Sequence, residues 1–341
     1  GHVALLEEQK FYDICISMKS SSVPVTMAAY RLMDQKKTIV MIGSSCIDEY
    51  YEMDHLPDLG DKAVLKFLEN KVGGMIANAA AVAASYGMNT YLMDTMSGSD
   101  YTKMLEDDLV QSRIHLDMIR HDPKLPDTKC MIFLKDGERI VWVLPSAKKD
   151  VVPDEGQKEI FQTAEYVYSS IEELRRFRDT KGFMQWLHAV NTKIVIDVEW
   201  INDKDWEPAW EIIQNADIIF VNDEGCEQLK KLVSEDYTKQ LTRYGGLVVE
   251  TKGAKGCVIY TPEGEVYQIP AYKVEPIDTT GAGDTFNASF VYGLSQGWDV
   301  QKAGKFANAA AGRAILGLGA RSGVVGEAAV MNFINERSKE K

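Results

Sequence analysis

Apolar residues in this chain come as short unbroken runs, each closed by turn residues and followed by a stretch of helical period. The run "TIVMI" (Thr38 to Ile42) enters a Gly-Ser turn, as a strand buried on both faces does. "NAAAVAASYG" (residues 78–87) then predicts a close-packed helix of small residues with Gly87 at its C-terminal cap, leading into the strand "TYLMD". From "EYVYSS" onward the alternation is regular: a charged helix "IEELRRFRD", strand "KIVIDVE", helix "EPAWEIIQNA", strand "DIIFVN", helix "EGCEQLKKLV", strand "LVVETK" and the hairpin "GCVIYTPEGEVYQIP". Strands alternating with helices of this length predict an α/β fold, with a mostly parallel central sheet flanked by helices on both faces.

Two stretches break the rhythm. "KCMIFLKDGERIVWVLPS" (residues 129–146) places β-rich runs on either side of Asp136-Gly137, a pair suited to a tight hairpin turn. With residues 47–72 it predicts a small sheet projecting from the main domain, a lid built from segments 47–72 and 127–146. Residues 1–37, with the polar run "SMKSSS", show no period and read as an N-terminal extension to one continuous domain over residues 38–335.

Charge narrows the function classes. With 38 Lys plus Arg against 51 Asp plus Glu, the formal charge of −13 argues against a nucleic-acid track, which needs clustered positive charge. A phosphate ligand stays open, because helix N-termini bind anions through backbone N–H groups. The five cysteines (Cys15, Cys46, Cys130, Cys226 and Cys257) are scattered without a C-x-x-C pair and read as reduced thiols in a cytosolic protein. No apolar run approaches the roughly 18 residues of a membrane span, so the expectation is a soluble, cytoplasmic protein with no membrane partner.

Candidate chemistry concentrates in "IDTTGAGDTF" (residues 277–286), directly before an amphipathic helix. Two glycines let successive N–H groups converge on one point, an anion nest, and the helix end is expected to keep Asp284 ionised. Alone, the stretch fits an Asp N-cap in a glycine-rich turn equally well. A second pair, Gly73-Gly74, precedes the small-residue helix, whose first turn carries Asn78. That pattern suits close approach to a hydroxylated ligand, or a packed helix start with Asn78 as cap. Asp48 lies just beyond the first strand, on the side where open α/β sheets bind ligands. "ETKGAKG" (residues 250–256) follows another strand, as a plain turn or as the floor of a nucleotide site. There is no G-x-x-x-x-G-K-[ST] and no H-E-x-x-H; "GLGARSG" (residues 317–323) misses G-x-G-x-x-G by one residue and ends a helix rather than starting one.

In order and spacing, "GGMIANAAAVAASYG", "TKGAKG", "DTTGAGDTFNASF" and "FANAAAG" resemble the ribokinase-like (PfkB) carbohydrate kinases over about residues 38–335. The resemblance implies a ribokinase-like fold whose β-sheet lid closes over a sugar. It also implies ATP-dependent transfer of the γ-phosphate to a primary hydroxyl of a small carbohydrate. Asp284 would be the general base, and the backbone of Gly281, Ala282 and Gly283 the anion hole. Asp48, Gly73, Gly74 and Asn78 would hold sugar hydroxyls, with Glu172 in "SSIEEL" as a further substrate-contacting acid. Asn222, Thr251, Gly253, Gly256 and Asn308 would line the nucleotide site. Asp278 and Thr280 would ligate a monovalent cation (K⁺), and Mg²⁺ would bridge the phosphates.

The chain departs from the family pattern at one point. Where N-x-x-E is usual it reads "NDEG" (residues 222–225), so Gly225 replaces the glutamate associated with magnesium, leaving Asp223 or Glu224 to substitute. The implied partners are a sugar, ATP and a second copy through the lid. Two other readings stand beside this one: a nucleoside kinase of the same fold, for which Phe133 and Trp142 of the lid would form an aromatic slot, and a non-catalytic nucleotide- or sugar-binding regulator.

Overall fold

The computed structural model describes residues 37–136, 138–201 and 206–339. Except for Lys37, the expected N-terminal extension falls outside them, as do Cys15 and Gly137 of the hairpin turn.

Nine strands form the main sheet: β1 (Thr38–Ile42), β4 (Asn89–Met96), β5 (Ile119–His121), β8 (Tyr166–Ser170), β9 (Lys193–Val198), β10 (Ile218–Val221), β11 (Leu247–Thr251), β12 (Cys257–Tyr260) and β13 (Val266–Ile269). They lie in the order β13-β12-β11-β10-β9-β8-β1-β4-β5. Every neighbour pair from β5 to β11 is parallel, and β12 and β13 add an antiparallel edge. The chain leaves β1, later lays β4 on one side of it and β8 on the other, so the strand order reverses there. Open α/β sheets bind ligands at the carboxyl ends beside such a point.

Period-two alternation divides the core. Ile39 and Met41 of β1 join one hydrophobic layer, Val40 and Ile42 the other. The first layer is covered by α1 (Met75–Ser85), α2 (Asp100–Gln111), α9 (Ala282–Ser295), α10 (Val300–Ala314) and α11 (Glu327–Lys339). The second is covered by α3 (Glu155–Thr163), α4 (Ile171–Leu174), α5 (Thr180–Ala189), α6 (Trp206–Gln214), α7 (Asp223–Leu232) and α8 (Tyr237–Arg243). Helix α1 is buried along nearly its whole length, and its run of methyl side chains lets it pack against both β1 and α9. That packing brings Asn78 to Asp284.

The lid is a separate sheet, β3-β2-β6-β7, made from β2 (Cys46–Met53), β3 (Leu65–Gly73), β6 (Lys129–Lys135) and β7 (Glu138–Leu144). Strands β2 and β6 run parallel, and the outer pairs are antiparallel. Two expectations change in detail. Asp48 lies within β2 rather than in a loop. The helix expected over "IEELRRFRD" is a single turn, α4, because Asp179 caps a new helix, α5, by accepting the Gly182 N–H.

Candidate active site

Two of the four passages between the main domain and the lid, the one before β2 and the one after β7, are tied down by one buried ion cluster. Lys148, just past β7, lies 2.7 Å from Asp94 of β4 and 2.9 Å from Glu173 of α4. On the other crossing, the Ser45 N–H donates to Asp94 at 3.0 Å and the Ser44 hydroxyl to Glu173 at 2.9 Å. Burial works against ionised Glu173, but the charges of Lys148 and Arg176 outweigh it and hold that carboxyl below its usual range. Glu172 does not join this group. It lies on the exposed side of α4, paired with Arg175 at 3.1 Å, and the inward carboxylate of the pair is Glu173.

Alternation along β2 then sets the substrate side. Cys46 and Asp48 share one face with Cys130, the residue opposite Asp48 on β6. Glu49 points the other way, where it accepts from Tyr101 of α2 at 2.8 Å and from Lys129 at 2.9 Å, fastening the lid to the main domain. The paired glycines make room for this arrangement. A Cβ on Gly73 would overlap the Asp48 carboxylate, and one on Gly74, whose φ is 103°, would fall 2.6 Å from the Ser44 carbonyl. Burial raises the Asp48 pKa above its ordinary value. Phe133 and Trp142 do not line this face. Phe133 packs on Tyr51 and Trp142 on Phe133, and Tyr51 lies three residues from Asp48, on the opposite side of the sheet.

Asp284 sits in the first turn of α9 and is buried. Gly281 caps the helix in the left-handed region (φ 76°), and a Cβ there would overlap Ala320. Asn78 donates its amide N–H to Asp284 at 2.9 Å, while its own oxygen accepts from Arg321 at 2.9 Å. Arg321 in turn pairs with Asp108 of α2 at 3.0 Å. With the amide oxygen held by Arg321, the Asn78 N–H must point at the carboxylate. Desolvation pushes the Asp284 pKa up to about 7, aided by the negative charge of Glu199 and opposed by the Asn78 hydrogen bond and by Arg321. The expectation that the helix end keeps this carboxylate ionised is therefore corrected: desolvation is the largest influence on it and favours the protonated form. Beneath it, Asp197 of β9 accepts from Asn287 at 2.7 Å and from Tyr168 at 3.1 Å, and burial raises Asp197 well above its usual range.

The anion-hole donors are partly rearranged. Ala282 N–H is engaged by the Thr279 carbonyl at 3.3 Å. Among the described residues, none accepts from the N–H of Gly281, Gly283 or Asp284, and the space where a Gly283 Cβ would stand is open. From the lid, Arg139 donates to the Thr280 hydroxyl at 2.6 Å, roofing the nest.

On the far side of the sheet, Thr251 ends β11, and Gly253 (φ 50°) sits in the turn that follows. Gly256 and Asn308 serve the fold as well: a Cβ on Gly256 would overlap the Ile269 carbonyl, and Asn308 donates to that carbonyl at 3.1 Å. A groove of about 540 Å³ opens along Ile269, Pro270, Ala271 and Tyr272 to Lys305. Asn222 caps α7, accepting the Gly225 N–H at 2.8 Å. A Cβ at Gly225 would overlap the Val198 carbonyl, so the close packing of α7 on β9 excludes any side chain at this position.

Of the expected cation ligands, Asp278 and Thr280 lie together and Glu224 lies apart from them. Asp278 spends one oxygen on the Thr280 N–H and hydroxyl (2.9 and 2.7 Å) and the other on the Gly319 N–H (2.8 Å), which shapes the loop. Glu224 lies elsewhere, on the exposed first turn of α7, close enough for its charge to raise the pKa of Glu199 beyond what desolvation does. Glu199, at the end of β9, acts in the same way on Asp284. Sequence reasoning missed Glu199, Arg321 and Glu173.

The sequence matches the family described as pfkB family carbohydrate kinase over residues 36–325. It is 25% identical over 289 residues to a ribokinase of Bacillus subtilis, covering 84% of this chain and 96% of that protein. It is also 25% identical over 272 residues to a nucleoside kinase of Methanocaldococcus jannaschii, covering 78% and 86%. Among solved structures, the ribokinase of Arabidopsis thaliana complexed with ribose and ATP superposes with a TM-score of 0.75 at 22% identity, over 88% of this chain and 98% of that one. No helix among the described residues is long and apolar enough to cross a membrane.

Proposed function

The chain belongs to the pfkB family and is an ATP-dependent carbohydrate kinase, and we propose that it transfers the γ-phosphate to a primary hydroxyl of a small sugar. The observation that carries this reading is the Arg321–Asn78–Asp284 chain, buried at Asn78 and Asp284, at the mouth of a helix where the N–H groups of Gly281, Gly283 and Asp284 have no acceptor among the described residues. Asp284, fixed by Asn78, accepts the proton of the sugar hydroxyl, and a pKa near 7 suits that exchange at neutral pH. The N–H groups of Gly281, Gly283 and Asp284 stabilise the transferring phosphoryl group, each contributing about 3 kcal/mol. Asp48 holds the sugar from the lid side. The groove beside Asn308 takes the base of the nucleotide.

Glu199 and Glu224 offer the hard oxygen donors that Mg²⁺ prefers, and they would hold it in place of the glutamate that position 225 excludes. When bound, the ion supplies charge neutralisation at the phosphates. Asp278 and Thr280, locked to each other and roofed by Arg139, leave little room for a K⁺ ligand set in this lid position. The placement of Phe133 and Trp142 on the far lid face removes the aromatic slot that would favour a nucleoside acceptor. A coupled assay of ADP release across sugars, sugar acids, sugar phosphates and nucleosides tests the reading; turnover confined to nucleosides refutes it.

The outer face of the lid exposes Phe67 and Trp142 at the ends of an aromatic row through Tyr51 and Phe133. A second lid covering this row would make the protein a homodimer. Sedimentation of the wild type beside Trp142→Glu tests that, and a wild type that sediments as a monomer rejects it.

A further inference from the structure

Cys46, Asp48 and Cys130 bring two sulfurs and a carboxylate oxygen within 4.8 Å of one another on the inner face of the lid. The Cys46 sulfur stands 3.4 Å from an Asp48 oxygen. Two ligands of one tetrahedral zinc ion, bound at about 2.3 Å through sulfur and about 2.0 Å through oxygen, stand about 3.5 Å apart. We propose that these residues form a binding site for a thiophilic divalent cation of the Zn²⁺ class, and that its occupancy withdraws Asp48 from the acceptor sugar.

Register separates this site from a disulfide. Asp48 is directly opposite Cys130, so Cys46 is displaced from Cys130 by one strand and two residues. That is about 4.8 Å across and about 6.6 Å along the sheet, hence about 8 Å between Cα atoms, beyond the roughly 6.8 Å that a disulfide spans. A metal ion bridges the gap with the backbone in place. The donor set also separates this site from the phosphate-bound metal, since thiolates select Zn²⁺ over Mg²⁺. Cys46 is buried, but Cys130 and Asp48 are only half-buried, which leaves an entry path and a fourth position open to the cleft. As Zn²⁺ enters, both thiols release their protons to solvent, and two thiolates and one carboxylate face the ion.

Metal uptake stands independently of the proposed reaction; only the effect on the sugar rests on the role given to Asp48. The reduced, chelator-stripped full chain would be titrated with Zn²⁺ against a chromogenic chelator, and with Co²⁺ to read the thiolate charge-transfer band. Wild type should take up one equivalent and show the band. Cys46→Ser and Cys130→Ser, each checked for an unchanged melting curve, should lose the band and bind more weakly by more than about tenfold. The triple variant Cys15→Ser, Cys226→Ser, Cys257→Ser should keep both. No stoichiometric uptake by wild type, or undiminished uptake by Cys46→Ser and Cys130→Ser, overturns the site. In kinase assays with saturating Mg-ATP, Zn²⁺ should raise the acceptor KM of wild type and leave Cys130→Ser unchanged. Uptake without that KM change overturns the link to Asp48, whereas a chain without turnover in metal-free buffer counts against the kinase reading and leaves the uptake result intact.

Discussion

Replacing Asp284 by Asn should have opposite effects on activity and on stability. The carboxyl is buried and titrates at about 7 in the fold instead of 3.8. At about 1.36 kcal/mol per pH unit, holding it ionised costs on the order of 4 kcal/mol of folding stability. The sign follows from proton binding. Between pH 4 and 7 the folded chain keeps a proton that the unfolded chain has released, so stability falls as pH rises through this window and levels off above it. The asparagine variant keeps an acceptor for the Asn78 N–H and carries no charge to desolvate. Its melting temperature should exceed that of wild type at pH 8 and match it at pH 4, while kcat falls by roughly 10²–10⁴. In wild type kcat/KM should rise through a limb near pH 7, with about a tenth of the base ionised at pH 6. Thermal melts at the two pH values and a pH–rate profile from 5 to 9 read all of this. A limb near pH 4, or a variant equally destabilised at both pH values, refutes the assignment of a desolvated base.

The anion hole, the metal side and the lid hinge each give a separate outcome. Gly283→Val adds its side chain to open space, so the melting curve should stay near wild type while turnover stops; the same change at Gly281 should also unfold the loop, because its Cβ meets Ala320. Gly225→Glu, which restores the family's usual glutamate, should not tighten Mg²⁺ dependence and should lower stability, since the Val198 carbonyl occupies the space its Cβ needs; calorimetry and a Mg²⁺ titration check both. Lys148→Met leaves Asp94 and Glu173 buried without their cation and should cost about 3–5 kcal/mol in denaturant unfolding.

Much of the frame is written locally. The β-α-β rhythm, the hairpin at Asp136 and the glycine-Asp helix start all depend on residues close in sequence, and each is found where the pattern places it. What escaped depends on contacts between distant segments. Arg321 lies in a glycine-rich loop with no period to mark it, and its partners Asn78 and Asp108 are more than two hundred residues away. Glu172 and Glu173 are adjacent, and only the docking of one short helical turn decides which faces Lys148. The parallel pairing of β2 with β6 follows from closure of the lid sheet, so the meeting of Cys46 with Cys130 has no signature in either segment. The glycines of "GGMIAN" were legible as a close approach, but the group approached is the chain's own Asp48 and Ser44.

Substrate contacts and base setting are carried by different bonds, which makes them separable. Residues 43–78 run from the end of β1, through Asp48 in the lid, to Asn78 in the first turn of α1, and it is α1 that meets α9, through the buried Asn78–Asp284 hydrogen bond. The contact from β7 is different in kind: Arg139 reaches Thr280 from an exposed lid strand. A lid that swings away must break the Arg139 contact, whereas Asn78 stays with α1, packed against α9 whether the lid is open or closed. Arg139→Ala should therefore raise the KM for the acceptor and leave the pH limb set by Asp284 where it is, near 7. Asn78→Leu should instead move that limb to higher pH, since it removes the hydrogen bond that opposes desolvation and releases the Arg321 contact. Steady-state profiles of the two variants over the same pH range decide the matter. A shifted limb in Arg139→Ala would mean that lid closure sets the base, and the separation argued from these bonds would fail.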